Sequence, residues 1–392
     1  MAEALRFGVA GLGRAARIIL PWFKKAPGAE LAAVADTRPE ALEPFASRGL
    51  KTFLSVEEMC ASDAVDAICI CTPNRTHAKI AILAAENGKH IIGEKPMAIT
   101  LDDATAMIEA IQRNKVKFVT RSKLFEPPIR KMREIISSGK LGRPYHINTF
   151  NYRGWLVNWS FLAEELDTDQ GGGLVYRQGP HQAEILRYLG GGMVKSVRAM
   201  TGRWGVAFDS DTEGNYAAFL QFENGTSALV SNHGYGFFDV AELTWGIGEA
   251  GPRQPVDQLY EPRLRQTRPV DPDEKYSDPS YALAAELDRE RPHPGHQPFC
   301  GLTIVSCERG DIRQSENGVY VHTAEGRSEV PCDVGVLPAN EVIELTQAVA
   351  QGRPTFPDER WGRATLELIL AIRQSSAEGR EVELHHQVPS AY

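Results

Sequence analysis

Leu5-Arg6-Phe7-Gly8-Val9-Ala10-Gly11-Leu12-Gly13-Arg14-Ala15-Ala16 is the stretch whose reading decides the fold. The apolar run Leu5 to Ala10 passes directly into G-x-G-x-x-A, and a helical pattern through Ile18, Ile19, Leu20, Trp22 and Phe23 follows. In such a strand-turn-helix the first glycine permits the tight turn and the second lets the backbone approach a pyrophosphate. Ala16 allows close helix-to-strand packing, and the helix N-terminus supplies free N–H groups and partial positive charge. A glycine motif alone could mark an ordinary strand-turn-helix, so its context carries the weight. A second apolar run, Glu30 to Ala35, ends at Asp36, about twenty residues on, where a carboxylate can accept from adenosine ribose hydroxyls. Gly11, Leu12, Gly13, Arg14 and Ala15, with Asp36, Thr37 and Arg38, are therefore the expected adenosine and pyrophosphate contacts of a dinucleotide. An acid facing the 2′ position repels a 2′-phosphate, which favours NAD; Arg38 keeps NADP as the minority expectation.

Outward from this turn, strand and helix patterns alternate. Ala67 to Cys71 reads as a buried strand ending at Thr72-Pro73-Asn74, followed by a helix from Arg75 to Glu86 that stops at Asn87-Gly88. His90 to Gly93 is a fifth strand, and Thr100 caps the next helix with Asp102 and Asp103 in its first turn, favourable with the macrodipole. Lys117 to Thr120 is the sixth. Alternation with short turns specifies a doubly wound parallel sheet, and the pattern breaks near Glu126-Pro127-Pro128. A dinucleotide-binding domain over 1–125 and a second domain over 126–392 are expected. Ligands sit outside the carboxyl ends of parallel strands, so Lys95, in Glu94-Lys95-Pro96 after the fifth strand, faces a crevice. Pro96 fixes φ and restricts the residue before it. The plainer alternative is a surface lysine before a turn.

Composition excludes several classes. The chain has 392 residues, 42% hydrophobic and 24% charged, as expected of a two-domain globular protein. A net charge of -8 gives no global attraction to nucleic acid or anionic membrane, so an anionic substrate must meet local cations. No apolar run approaches a membrane span and the first residues do not resemble a secretion signal, which points to the cytoplasm. Cys60, Cys69, Cys71, Cys300, Cys307 and Cys332 form no C-x-x-C or zinc spacing. Cys69 and Cys71 read as small core residues, and no metal is expected.

Gly11 to Ala16, Asp36, Cys71-Thr72-Pro73-Asn74-Arg75-Thr76-His77, Gly88-Lys89-His90 and Glu94-Lys95-Pro96 together resemble the glucose-fructose oxidoreductase and inositol dehydrogenase (Gfo/Idh/MocA) family. The resemblance implies a Rossmann domain followed by an α/β domain with a large open, mostly antiparallel sheet. It also implies NAD(P)-dependent hydride transfer, sheet-mediated association into homodimers or homotetramers, and a lysine, here Lys95, beside the nicotinamide. Thr72, Pro73, Asn74, His77 and Glu94 join the cofactor contacts on the same ground.

In the second domain, Ile129 to Ser138 reads as a helix and Pro144 to Tyr152 as a strand. A helix is expected to carry Tyr176-Arg177-Gln178-Gly179-Pro180-His181-Gln182. Where the family shows Asp-x-Gly-x-His-x-x-Asp, His181 matches the catalytic histidine while Arg177 and Glu184 replace the aspartates. Arginine offers a planar fork to a carboxylate, where aspartate suits sugar hydroxyls; a buried structural histidine and a surface ion pair are the plainer alternatives. Met193 to Trp204, Asn215 to Phe222 and Thr226 to Tyr235 alternate as strands, the last two around an Asn224-Gly225 turn. Residues 251–298 read as a long loop, lid or subunit interface, its arginines Arg253, Arg263 and Arg265 solvated or reaching a carboxylate. Amphipathic helices follow at 339–350, supporting the sheet, and at about 358–376, returning to the Rossmann domain.

Glu165 to Gly173, Gln178 to Gln182 and Gly234 to Asp239 more narrowly resemble phthalate dihydrodiol dehydrogenases. That resemblance implies oxidation of cis-4,5-dihydroxy-4,5-dihydrophthalate to 4,5-dihydroxyphthalate in aromatic catabolism, a dicarboxylated cyclohexadiene diol as small-molecule partner, and Lys95, its pKa lowered by burial, as base beside His181. Arg177, Gln178, Tyr176, Lys123 and Arg153 are then the substrate-binding candidates. A sugar or inositol dehydrogenase, and a non-catalytic NAD sensor, are the rival expectations.

Overall fold

The computed structural model describes residues 4–156, 160–202, 212–249, 251–260, 269–277, 281, 283–287, 296, 298–332 and 340–390. In chain order the elements begin β1 (Leu5–Ala10), α1 (Arg14–Ile19), β2 (Ala29–Ala35), α2 (Pro39–Ala46), β3 (Lys51–Phe53), α3 (Val56–Ala61), β4 (Ala67–Ile70), α4 (His77–Glu86), β5 (His90–Gly93), α5 (Leu101–Arg113) and β6 (Phe118–Thr120). They continue with α6 (Pro127–Ser137), β7 (Pro144–Tyr152), α7 (Ala163–Leu166), α8 (Gly173–Arg177), α9 (Gly179–Gly190), β8 (Val194–Gly202), β9 (Asn215–Phe222) and β10 (Ser227–His233). The last are α10 (Pro272–Tyr276), β11 (Leu302–Cys307), β12 (Gly310–Gln314), β13 (Gly318–Thr323), β14 (Gly326–Pro331), α11 (Glu341–Gln351), α12 (Glu359–Glu378) and β15 (Val382–Glu383). The chain forms two compact units. One holds the described residues of Met1–Ser122, Asp271–Glu290 and Ala339–Leu366, the other those of Lys123–Val270, Arg291–Pro338 and Glu367–Tyr392. The division falls inside α12.

The first unit is built on a six-stranded sheet in the order β3-β2-β1-β4-β5-β6, every pairing parallel. Its central strands are continuous apolar runs because helices bury both faces: Phe7, Val9, Ile68, Cys69 and Ile91 are wholly inaccessible. The order reverses direction between β1 and β4, which opens a crevice outside their carboxyl ends. α1 is shorter than its apolar pattern suggests, since Pro21 lacks an N–H and the chain finishes as a 3₁₀ turn over Leu20–Trp22. α11 supports a sheet as expected, and that sheet is this parallel one, against β2, β5 and β6. Residues 251–298 are not structureless: they carry α10 and 3₁₀ turns at Val256–Tyr260 and Leu283–Leu287.

The second unit holds a nine-stranded sheet ordered β14-β13-β12-β11-β7-β10-β9-β8-β15, antiparallel except where β7 meets β10. β9 and β10 form the hairpin set by Asn224-Gly225, with Gly225 at φ 85°. α6 and α9 cover one face; on the other, alternating positions leave Met200, Phe219 and Leu229 exposed. The helix expected across Tyr176 to Gln182 is two helices that meet at Gln178. Pro180 cannot donate to the carbonyl of Tyr176, and Gln178 caps α9 instead. The sequence pattern assigns no strand to 299–332, where the structure has the four-stranded meander β11 to β14. Trp204, Arg263 and Arg265 lie outside the described residues.

Candidate active site

Because all six strands of the first sheet run parallel, the residues that follow β1, β2, β4, β5 and β6 share one edge. The structure thus brings together the expected cofactor residues Gly11 to Ala15, Asp36 to Arg38, Thr72 to Asn74, His77, Glu94 and Lys95. Gly11 sits at φ 88°, and a Cβ there would lie 2.9 Å from the Cys71 carbonyl oxygen, so both backbone and packing require glycine. Gly13 differs: among the described residues, a Cβ there would meet no atom within 4 Å. Nothing in the protein's own packing asks for glycine there, whereas a pyrophosphate lying against the turn would. The space fits a dinucleotide. Leu12 N–H donates to Asp36 Oδ2 at 2.7 Å, and Arg38 donates through its backbone N and Nε to Oδ1, each at 3.0 Å. Arg38 Nη2 reaches Asp36 Oδ2 and the Leu12 carbonyl, both at 3.1 Å.

At the other end of the crevice, His77 is 2% exposed, with Nδ1 2.8 Å from the Pro96 carbonyl and Nε2 2.9 Å from the Thr72 carbonyl. The ring ties the loop after β4 to the loop carrying Lys95. Burial lowers its pKa against the pull of both carbonyls. Glu94 accepts the Lys95 N–H at 3.1 Å and pairs with Arg121. Burial pushes the Glu94 carboxyl up, yet Arg121, Lys95 and His77 outweigh it and hold it below the usual carboxylate range. Arg121 also faces Glu341, whose Oε1 accepts Ser122 N–H at 2.7 Å and whose carboxyl burial pushes up. Lys95 is half-buried at the end of this charged row.

Within the second unit the substrate candidates fall into separate groups. Arg153 lies 3.0 Å from Glu249 and 3.9 Å from Asp239, and Lys123 Nζ donates to Glu126 at 2.6 Å. Glu249 also raises the pKa of both cations, which makes these five side chains one electrostatic cluster. Arg177 pairs with Glu165 at 3.3 Å and lies over the rings of Phe161 and Trp155 at 5.5 and 5.7 Å. Tyr176 is buried, and its hydroxyl accepts from Arg373 Nη1 at 3.3 Å. Gln178 ends α8, and its carbonyl accepts the backbone N–H of half-buried His181 at 3.1 Å. Gln182, next along α9, is wholly buried and accepts from Asn232 Nδ2 at 2.9 Å. Arg253, expected as solvated, pairs with Glu316. Among the described residues no cluster of His, Cys, Asp and Glu could hold a metal.

Sequence reasoning passes over Arg121, Glu341, Glu126, Glu249 and Tyr276. A signal existed for Arg121, a charge immediately beyond the apolar end of β6. None existed for Glu341 and Glu249, whose partners lie far along the chain, whereas Glu126 stands only three residues from Lys123.

Strand order, glycine turn and acid-capped second strand define a dinucleotide-dependent dehydrogenase with a separate, mostly antiparallel domain. The chain belongs to the GFO/IDH/MocA family: residues 5–122 match the oxidoreductase family with NAD-binding Rossmann fold, and residues 129–235 its C-terminal domain. It is 34% identical over 382 residues, 94% of each chain, to 1-carboxy-3-chloro-3,4-dihydroxycyclohexa-1,5-diene dehydrogenase of Comamonas testosteroni. Myo-inositol 2-dehydrogenase of Thermotoga maritima is 25% identical over 73% of this chain and 84% of its own. A crystal structure from Bordetella bronchiseptica RB50, described as a dehydrogenase, superposes with TM-score 0.88 at 36% identity, covering 97% of this chain and all of that one. The protein is an NAD-dependent oxidoreductase. Among the described residues, no helix is long and apolar enough to cross a membrane.

Proposed function

We propose that the protein oxidises a carboxylated cyclohexadiene cis-diol to a catechol, with cis-4,5-dihydroxy-4,5-dihydrophthalate as candidate substrate and aromatic catabolism as its setting. The observation that carries this reading is similarity along nearly the whole chain to an enzyme whose name specifies a carboxylated dihydroxycyclohexadiene. Bound NAD supplies the acceptor for the hydride that leaves one carbinol carbon. Lys95, as the neutral amine, takes the hydroxyl proton of that carbon while its C–O bond becomes a carbonyl. The hydrogen on the neighbouring carbinol carbon then leaves as a proton while the new carbonyl oxygen gains one, a tautomerisation that gives the catechol and makes the oxidation run downhill. Lys95 suits the part because Glu94, held by Arg121, fixes its backbone N–H and His77 fixes the following Pro96. His181 is assigned to orient the hydroxyl, and Arg177, Gln178, Lys123 and Arg153 to receive carboxylate oxygens. All three of those cations already face acids, so a substrate carboxylate exchanges with Glu165, Glu126 or Glu249 rather than meeting a bare charge.

The test is NADH formation with the cis-dihydrodiols of phthalate and of benzoate, beside a panel of inositols and sugars. Turnover of the dihydrodiols alone is expected. Oxidation of a polyol in preference would transfer the assignment to the inositol-type reading, which the Thermotoga relative favours; NADH binding without any turnover would support a sensor. We further assign the protein to the cytoplasm, which suits six buried free thiols. The open sheet face bearing Met200, Phe219 and Leu229 is assigned to a homodimer or homotetramer, and a monomeric mass by light scattering would remove that assignment.

A further inference from the structure

We propose that Tyr276 is a positioning residue of the cofactor site: it keeps Arg38 on Asp36 and thereby sets the preference for NAD over NADP. This rests on the NAD-dependent reading above and on Asp36 being the ribose contact expected from the sequence. The guanidinium of Arg38 lies 3.8 Å over the Tyr276 ring, a stacking distance, while its edge makes the two-pronged contact with Asp36. Face and edge are both engaged, so the side chain is held in one place. An arginine two residues beyond the ribose-binding acid is otherwise placed to swing toward a 2′-phosphate. Stacking opposes that swing.

Tyr276 arrives from far downstream, yet its segment is anchored. Asp271 caps α10 by accepting Glu274 N–H at 2.8 Å. Tyr276 meets Tyr281 edge-on, with ring centroids 5.1 Å apart, and buried Lys275 reaches toward both rings. Leu283 and Ala284 are buried, and their 3₁₀ turn packs against α1 and the Leu20–Trp22 turn, beside the glycine motif itself. Asp36 in turn accepts four hydrogen bonds, three of them from Arg38. With the guanidinium committed to this carboxylate and covered by the ring, a 2′-phosphate meets an acid while Arg38 is withheld from it. Two ribose hydroxyls need only share lone pairs.

The experiment is titration of NADH and NADPH by nicotinamide fluorescence with the wild type, Tyr276→Phe, Tyr276→Ala and Arg38→Ala, each checked by circular dichroism. The readout is the ratio of the NADPH to the NADH dissociation constant. Phe keeps the ring face and is expected to keep the wild-type ratio. Ala releases Arg38, and the ratio should fall about three- to tenfold, mainly through tighter NADPH. Arg38→Ala should move it the opposite way, because Asp36 then faces the phosphate uncompensated. An unchanged ratio in Tyr276→Ala, equal weakening of both dinucleotides, or a Phe variant that behaves as Ala would each overturn the proposal. Wild type that binds neither dinucleotide would instead overturn the Asp36 assignment, and the proposal with it.

Discussion

Replacing Arg121 with Met tests whether the charge row behind Lys95 is held by one cation. The substitution keeps the aliphatic length and removes the charge between buried Glu94 and half-buried Glu341. Breaking a buried pair from one side costs about 3–5 kcal/mol, because the remaining charge is left uncompensated. Arg121 is 20% exposed and Lys95 still attracts Glu94, so the lower end applies, about 3 kcal/mol. At about 2–4 °C per kcal/mol for a unit of this size, the melting temperature at pH 8 should fall by about 6–12 °C. The pH dependence carries more information. In the wild type the Glu94 pKa is depressed, so its contribution is complete above the ordinary carboxylate value and is lost as pH falls through the lowered one. In the variant, burial and mutual repulsion raise both carboxyl pKa values, so acidification protonates them and stabilises the fold. The gap between the two proteins should therefore narrow from pH 8 to pH 5, and adding Glu94→Gln should recover about half of it. Melting curves by differential scanning fluorimetry decide this. A loss below about 2 °C, or a gap that is constant with pH, would refute the assignment.

Lys95→Ala should lower kcat by at least about a hundredfold while the NADH dissociation constant stays within about twofold; unchanged turnover would remove Lys95 as the base. Gly13→Val should melt within about 2 °C of the wild type, since its backbone is extended and its Cβ meets no protein atom, yet weaken NADH at least about tenfold. Fluorescence titration checks this, and undiminished affinity would place the pyrophosphate elsewhere. Burial pushes the thiols of Cys60 and Cys307 up to about 11 and raises Cys69, Cys71 and Cys300 as well. A disulfide reagent at pH 8 should therefore release no thiol signal from native protein and all six on denaturation; a fast native reaction would show a thiol the fold does not protect.

The parallel sheet is legible in the sequence because its signals are local. Apart from β3, a short Lys-Thr-Phe edge strand that has no such signal, each strand is an apolar run closed by turn residues, and Gly11 declares its backbone before any partner is known. Two misreadings had local signals too: Pro180 marks the break between α8 and α9, and Asn317-Gly318 marks the turn from β12 into β13. Tyr276 had none. Its ring matters because a segment without periodicity folds against the glycine-turn helix, and the packing that places it spans most of the chain. The same holds for Glu341 against Arg121, where α11 returns to the parallel sheet.

The acids facing Arg177, Arg153 and Lys123 bear on specificity in a way that the cations alone do not. A bare arginine attracts any anion, whereas an arginine paired with Glu165 or Glu249 offers a carboxylate only an exchange: the bound acid must give up its place. The pair is lost unless the entering carboxylate matches it in charge and geometry, so an uncharged polyol has little to displace. Removing the competitor should therefore help the true substrate. Glu165→Gln is expected to lower KM for a carboxylated dihydrodiol several-fold, about 1 kcal/mol of released competition, with kcat unchanged because the exchange concerns binding of the carboxylate and not the hydride or proton transfer. Steady-state kinetics on the dihydrodiol and on an inositol separate the outcomes. A KM that rises for the dihydrodiol would mean that Glu165 holds Arg177 in its working position, and the exchange would have to be assigned to Glu249 or Glu126 instead.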